Sequence, residues 1–119
     1  MKTIEVKSSD WKKLCDHINE GLPGAFTTIQ QLLPDGRAEN VIEQLPLQNI
    51  AFDEQSDGCN NLLVFETGSE KPVRHVIIEP IHILLHRGDN DRFNRLEVHS
   101  ETGRTVVSFH PGLKSFAAT

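Results

Sequence analysis

The chain has 119 residues, with 12 Lys and Arg against 17 Asp and Glu and a formal net charge of -5. That length suits one domain around one core, and the negative balance disfavours the long-range attraction to phosphate on which non-specific nucleic-acid binding depends. Cys15 and Cys59 form neither a disulfide framework nor a metal-ligand spacing, and no apolar run makes a secretory h-region or reaches the roughly 20 residues of a membrane span. A single domain over 1–119, cytoplasmic and with two free thiols, is the expectation.

Residues 3–7 (TIEVK) alternate and read as a short edge strand, after which Ser8 and Ser9 offer N-cap hydroxyls to a helix. Trp11, Leu14, Cys15, Ile18 and Leu22 fall on one stripe of a 3.6-residue period, with Lys12, Lys13, Asp16, Asn19 and Glu20 opposite. A helix is predicted over about 9–20, stopped by Gly21, Pro23 and Gly24. Cys15 lies on the apolar stripe, so it reads as a small buried side chain rather than a reactive thiol.

From about 25 to 110 the pattern is strand and turn. AFTTIQQLL and RAENVIEQL flank Pro34-Asp35-Gly36, where Pro presets the first central dihedral and Gly accepts the left-handed position, so 25–45 reads as a hairpin. Pro46 is expected to break the ladder before LQNIAF; Ser56-Asp57-Gly58 then separates that strand from NLLVFE, and 68–72 form the next connection. Within 74–109, HVIIEPIHILLH and RLEVHSETGRTVVSF read as three consecutive strands, followed by a short tail over 111–119. The fold class is α+β, mostly β: one N-terminal amphipathic helix packed on a curved antiparallel sheet or small partial barrel of about seven strands.

The last hairpin can be registered. With Ser100-Glu101-Thr102-Gly103 as its loop, His99 pairs with Arg104, Val98 with Thr105, Leu96 with Val107 and Asn94 with Phe109. Leu96, Val98, Thr105, Val107 and Phe109 then share the core face, and Arg95, Glu97, His99, Arg104, Val106, Ser108 and His110 share the other.

Histidine dominates the search for chemistry. His82 and His86 would stand one turn apart on a helix and could bind zinc there, but the segment is rich in β-branched residues and Ile83 occupies the position of the Glu that a zinc-hydrolase motif needs. On a strand the two lie about 13 Å apart, too far to share one ion. His99 and His110 share a face yet sit on the order of 20 Å apart. A cross-strand pairing of His75 or His86 with His99 stays open.

Arg87-Gly88-Asp89 spells an adhesion tripeptide too short to carry weight, 88–91 lacks the third acidic position, the loop Gly and the closing Glu of an EF-hand, and 53–57 reads as a solvated loop. Arg74, Arg87, Arg92, Arg95 and Arg104 could bind an anion or an acidic partner, although Glu79, Asp89, Asp91, Glu97 and Glu101 interspersed among them favour a salt-bridged face. With no Tyr and one Trp, a stacking platform for single-stranded nucleic acid is poorly supplied.

Four segments, SSDWKKLCDHIN, LPLQNIAFD, RHVIIEPIHILL and LEVHSETGRTVVSF, resemble a family of small bacterial proteins known only as a domain of unknown function. The resemblance covers roughly 4–109, with His75-x-Ile77-x-x-Pro80-x-x-Ile83 and the hairpin over 97–105 its most telling parts. It implies a bacterial cytoplasmic protein and brings no activity.

No catalytic residue, metal site or cofactor is assigned, and the sequence leans away from an enzyme. The leading expectation is a protein-interaction or regulatory module whose edge strands pair with another protein or with a second copy. The alternative is a small-ligand domain with a pocket between helix and sheet lined by Trp11, Phe26, Phe52, Phe65 and His75. A third reading, an acidic inhibitor that mimics nucleic acid, predicts negative charge gathered on one face.

Overall fold

The computed structural model describes residues 2–21, 24–54, 61–68, 70–88, 92–100 and 103–113. Cys59, Leu22, Asp89, Asp91 and Glu101, and with them most of the 53–57 and 88–91 loops, lie outside these residues. Among the described residues, eight strands and one helix follow in the order β1 (Lys2–Val6), α1 (Trp11–Gly21), β2 (Phe26–Leu32), β3 (Ala38–Asp53), β4 (Leu62–Thr67), β5 (Val73–Ile78), β6 (Pro80–Arg87), β7 (Phe93–Ser100) and β8 (Gly103–Leu113). The strands form one antiparallel sheet in the order β1-β6-β7-β8-β2-β3-β4-β5, which curves without closing.

Two places where the strands differ from the sequence reading explain the curvature. Pro46 does not end a strand; β3 runs through it for 16 residues and changes partner there, pairing β2 up to Pro46 and β4 from Leu47 onward. An unbent strand of that length would reach about 50 Å, more than the 38 Å longest dimension of the molecule, so β3 must bend. The bend falls where Gln44 takes a φ of 49° and Pro46, lacking an N–H, cannot serve a regular ladder.

The second difference lies in HVIIEPIHILLH, which is two strands and not one. Glu79 adopts a φ of 54° and Pro80 follows, so the chain leaves β5 at one end of the sheet order and enters β6 next to the other end. The turn is held by the Glu79 amide donating to the Asn61 carbonyl at 2.8 Å and the Asn61 amide donating to the Glu79 carboxylate at 2.8 Å.

The turn chemistry of the first hairpin behaves as its residues dictate. Gly36 takes a φ of 92°, its amide donates to the Leu33 carbonyl at 2.9 Å, and the Asp35 carboxylate accepts from the Arg37 amide at 3.0 Å. In the last hairpin the pairs 99:104, 98:105 and 96:107 form as expected, but 94:109 does not, because the ladder slips between Phe93 and Arg95 and Phe93 pairs with Leu113. Gly103 is required at its position: its φ is 132°, and a Cβ there would lie 2.5 Å from the Leu32 carbonyl oxygen.

The core follows from the period-two strands and the helix stripe. Leu96, Val98, Thr105, Val107 and Phe109 all face inward and are buried together with Ile29, Ile50, Leu63, Phe65, Ile83 and Leu85. Trp11, Leu14, Cys15 and Ile18 of α1 cover this cluster over β3. Trp11 meets Phe52 edge to face at 5.2 Å and donates its indole N–H to the Val6 carbonyl at 2.9 Å. At the start of α1, Ser8 and Ser9 are exposed in a 3-10 turn and Asp10 is the buried residue preceding Trp11, so neither serine occupies the expected capping position.

Asn19 also departs from its polar-face assignment. Its carboxamide donates to the Ile50 carbonyl at 2.8 Å and accepts from the Ile50 amide at 2.8 Å, on the side of β3 that β2 has left. One side chain thus replaces a missing strand and seals an internal edge.

Candidate functional site

The five residues read as a pocket lining are distributed over two faces. Trp11 and Phe65 are packed in the core, and Phe52 is half-buried against Trp11. His75 pairs with Phe65 on β5, half-buried, with its Nε2 enclosed and without a hydrogen-bond partner; burial lowers its pKa from the ordinary 6.5. Phe26 points the other way and is 55% exposed. A depression of about 280 Å³ does lie between α1 and β3, bordered by Lys12, Asp16, Asn19 and Phe52. Cys15 at its base is buried, and desolvation with the neighbouring Asp16 charge pushes the thiol up to about 12.

The outer face of β1, β6, β7 and β8 carries the densest polar cluster. Its hub is Glu97, a member of the outward set of the last hairpin. His99 Nε2 donates to Glu97 Oε2, Arg104 Nη1 lies 3.6 Å from the same oxygen, and His86 Nε2 lies 3.4 Å from Oε1. Burial alone would raise the Glu97 pKa, but the His99 hydrogen bond and the charges of His99, Arg104 and His86 outweigh it and hold the carboxyl below the ordinary 4.5. His86 Nδ1 hydrogen-bonds Thr3 Oγ1 at 2.9 Å, and His82 Nδ1 donates to Glu5 Oε2 at 3.1 Å.

Here the histidine question resolves. His82, not His75 or His86, is the cross-strand partner of His99, their rings edge to face at 6.1 Å. His86 reaches His99 only through the shared Glu97. Among the described residues no group of three or more His, Cys, Asp or Glu is arranged to hold a metal ion. The cluster's visible work is mechanical: it fastens β1 to β6 and β6 to β7.

A groove of about 330 Å³ lies beside this cluster, over β7, β8, β2 and β3. Its floor is a cross-strand row in which Arg95 pairs with Ser108 and Ser108 with Thr28, whose Oγ1 accepts from the Gln44 amide at 3.2 Å. The next row out along the strands is His110, Phe26 and Pro46. Register irregularities flank the groove on both sides, between Phe93 and Arg95 and between Thr27 and Gln30, which widens the space between outward side chains. The signal available in the sequence was the outward set Arg95, Ser108 and His110; the irregularities that open the groove had none.

The far edge of the sheet is different again. Among the described residues β5 pairs only with β4, and its outward Val76 and Ile78 are 38% and 55% exposed, with Val73 and Ile81 also exposed nearby. Arg74 stands opposite Glu66 but makes no ion pair with a described residue.

These features define a mostly β domain with an open antiparallel sheet, a helical cover and outward polar and apolar surfaces. Residues 2–115 match the family of unknown function DUF5335, and the chain belongs to that family. Comparison with curated proteins and with solved structures found no match. No helix among the described residues is long and apolar enough to cross a membrane.

Proposed function

We propose that this protein is a non-enzymatic interaction module that receives an extended segment of a protein partner along the free edge of β5. The observation that carries this reading is the edge itself: a strand that, among the described residues, is paired on one side only, presenting Val76 and Ile78 outward with an Arg74 that no described residue engages. Unpaired edge N–H and C=O groups give affinity to any added strand, and alternate side-chain positions give selectivity. The chemistry favours a partner strand with apolar residues at alternate positions and an acid placed to meet Arg74. The described acidic residues are spread over β1, α1, β3, β4 and β7, which favours this reading over a mimic of nucleic acid.

Hydrogen exchange on the full chain, with and without extended peptides of alternating apolar and acidic residues, tests the reading. Binding should slow exchange of the 73–78 amides, and the double variant Val76→Lys, Ile78→Lys should lose the peptide while its stability changes by less than about 0.5 kcal/mol, as for exposed positions generally. Peptide binding that survives the double variant, or protection that appears elsewhere, would overturn it. A two-fold pairing of β5 with a second copy is the other outcome, read as a dimer in sedimentation that the same variant dissociates.

A further inference from the structure

We infer that the groove over β7, β8, β2 and β3 binds a small organic anion carrying a planar ring, its carboxylate or phosphate on the Arg95 row and its ring against Phe26. The two rows of the floor divide the chemistry. Arg95, Ser108 and Thr28 form a polar row across three strands, and Asn94 and Gln44 border it. Every one of these side chains can donate a hydrogen bond, and among the described residues no carboxylate lines the groove.

That absence is unexpected on a chain of net charge -5. The nearest outward carboxylate on β7, Glu97, is already engaged by His99, Arg104 and His86. The Arg95 side chain therefore has no hydrogen bond or ion pair with any described residue, and neither does that of His110. A guanidinium left unpaired among hydroxyl and amide donors is suited to a bidentate oxyanion.

The second row supplies the other half of the ligand. Phe26 stands between His110 and Pro46, 55% exposed, and forms an apolar shelf beside the polar row. The two rows are about 7 Å apart along the strands, the separation of residues i and i+2. A ring bearing an anionic group spans that distance, whereas inorganic phosphate would fill only the polar half. The groove's volume of about 330 Å³ lies at the lower end of the range for small-molecule sites, which favours a single-ring ligand.

Titration of the isotope-labelled full chain with phenyl phosphate, benzoate, inorganic phosphate and benzyl alcohol tests the assignment and separates the phosphate from the carboxylate. At least one ring-bearing anion should shift the amides of 26–28, 94–95 and 108–110 and bind at least tenfold more tightly than inorganic phosphate or benzyl alcohol. Arg95→Gln should weaken that ligand at least tenfold and Phe26→Ala severalfold, while Lys7→Gln, which removes one positive charge outside the groove lining, should leave it unchanged. The proposal is overturned if neither ring-bearing anion shifts these amides at millimolar concentration, if benzyl alcohol binds as tightly, or if Arg95→Gln and Lys7→Gln behave alike.

Discussion

At one end of the sheet, β1 is five residues long and its outward side chains are tied down, Glu5 to His82 and Thr3 to His86. At the other end, β5 is nearly as short but shows apolar Val76 and Ile78 to solvent with no side-chain fastening of that kind among the described residues. A third edge, on β3 beyond Pro46, is closed by the Asn19 carboxamide. An open sheet must deal with every edge it leaves, and of these three it protects two and exposes one. The comparison teaches that exposure at β5 is local and that the fold contains the means to avoid it.

Asn19→Ala should have the largest effect on this contrast. It strands the Ile50 N–H and C=O, both bonded in the native protein, and the expected loss is about 2–4 kcal/mol in urea unfolding. A loss below about 0.5 kcal/mol would mean that solvent seals this edge as well as the side chain does.

The β1 fastening should show itself in acid. The Glu97 pKa is lowered in the folded state from 4.5, so its contribution to stability is complete above 4.5 and is lost as pH falls through the lower folded value. Glu97→Gln should cost roughly 1 kcal/mol at neutral pH, flatten the acid limb of the stability profile, and speed amide exchange in β1 more than in β5. Equal acceleration at both ends would erase the distinction drawn between them.

The smallest effect concerns the bare edge. The pKa of His75 is lowered from 6.5 by burial, so the folded state disfavours its charged form; full stability holds above 6.5 and declines as pH falls through the lower folded value. His75→Leu should therefore gain in thermal stability relative to the native chain at pH 5.5 but little at pH 7.5. A pH-independent difference would show that burial does not lower the His75 pKa in the folded state.

Much of this architecture was legible because period-two and period-3.6 patterns report directly which side chains leave water. The helix stripe, the hairpin turn at Gly36 and the inward set from Leu96 to Phe109 follow from residue type and spacing alone. The break within HVIIEPIHILLH was less visible, because Pro80 is tolerated as a strand's first residue and Glu79 carries no local sign of its positive φ. Likewise, the sequence pattern placed Phe26 among aromatic residues without stating its face, and alternation with the buried Thr27 and Ile29 along β2 sets that face outward.

Local pattern thus determined the strand faces, the helix and the outward position of Glu97, since each depends on neighbours a few residues away. Tertiary structure decided which histidine meets His99, what closes the edge of β3, and that Arg95, Ser108 and Phe26 share a groove. The physical reason is strand order: β8 lies beside β2, and β6 beside β1, through contacts between segments some eighty residues apart, which no periodicity within a single strand encodes.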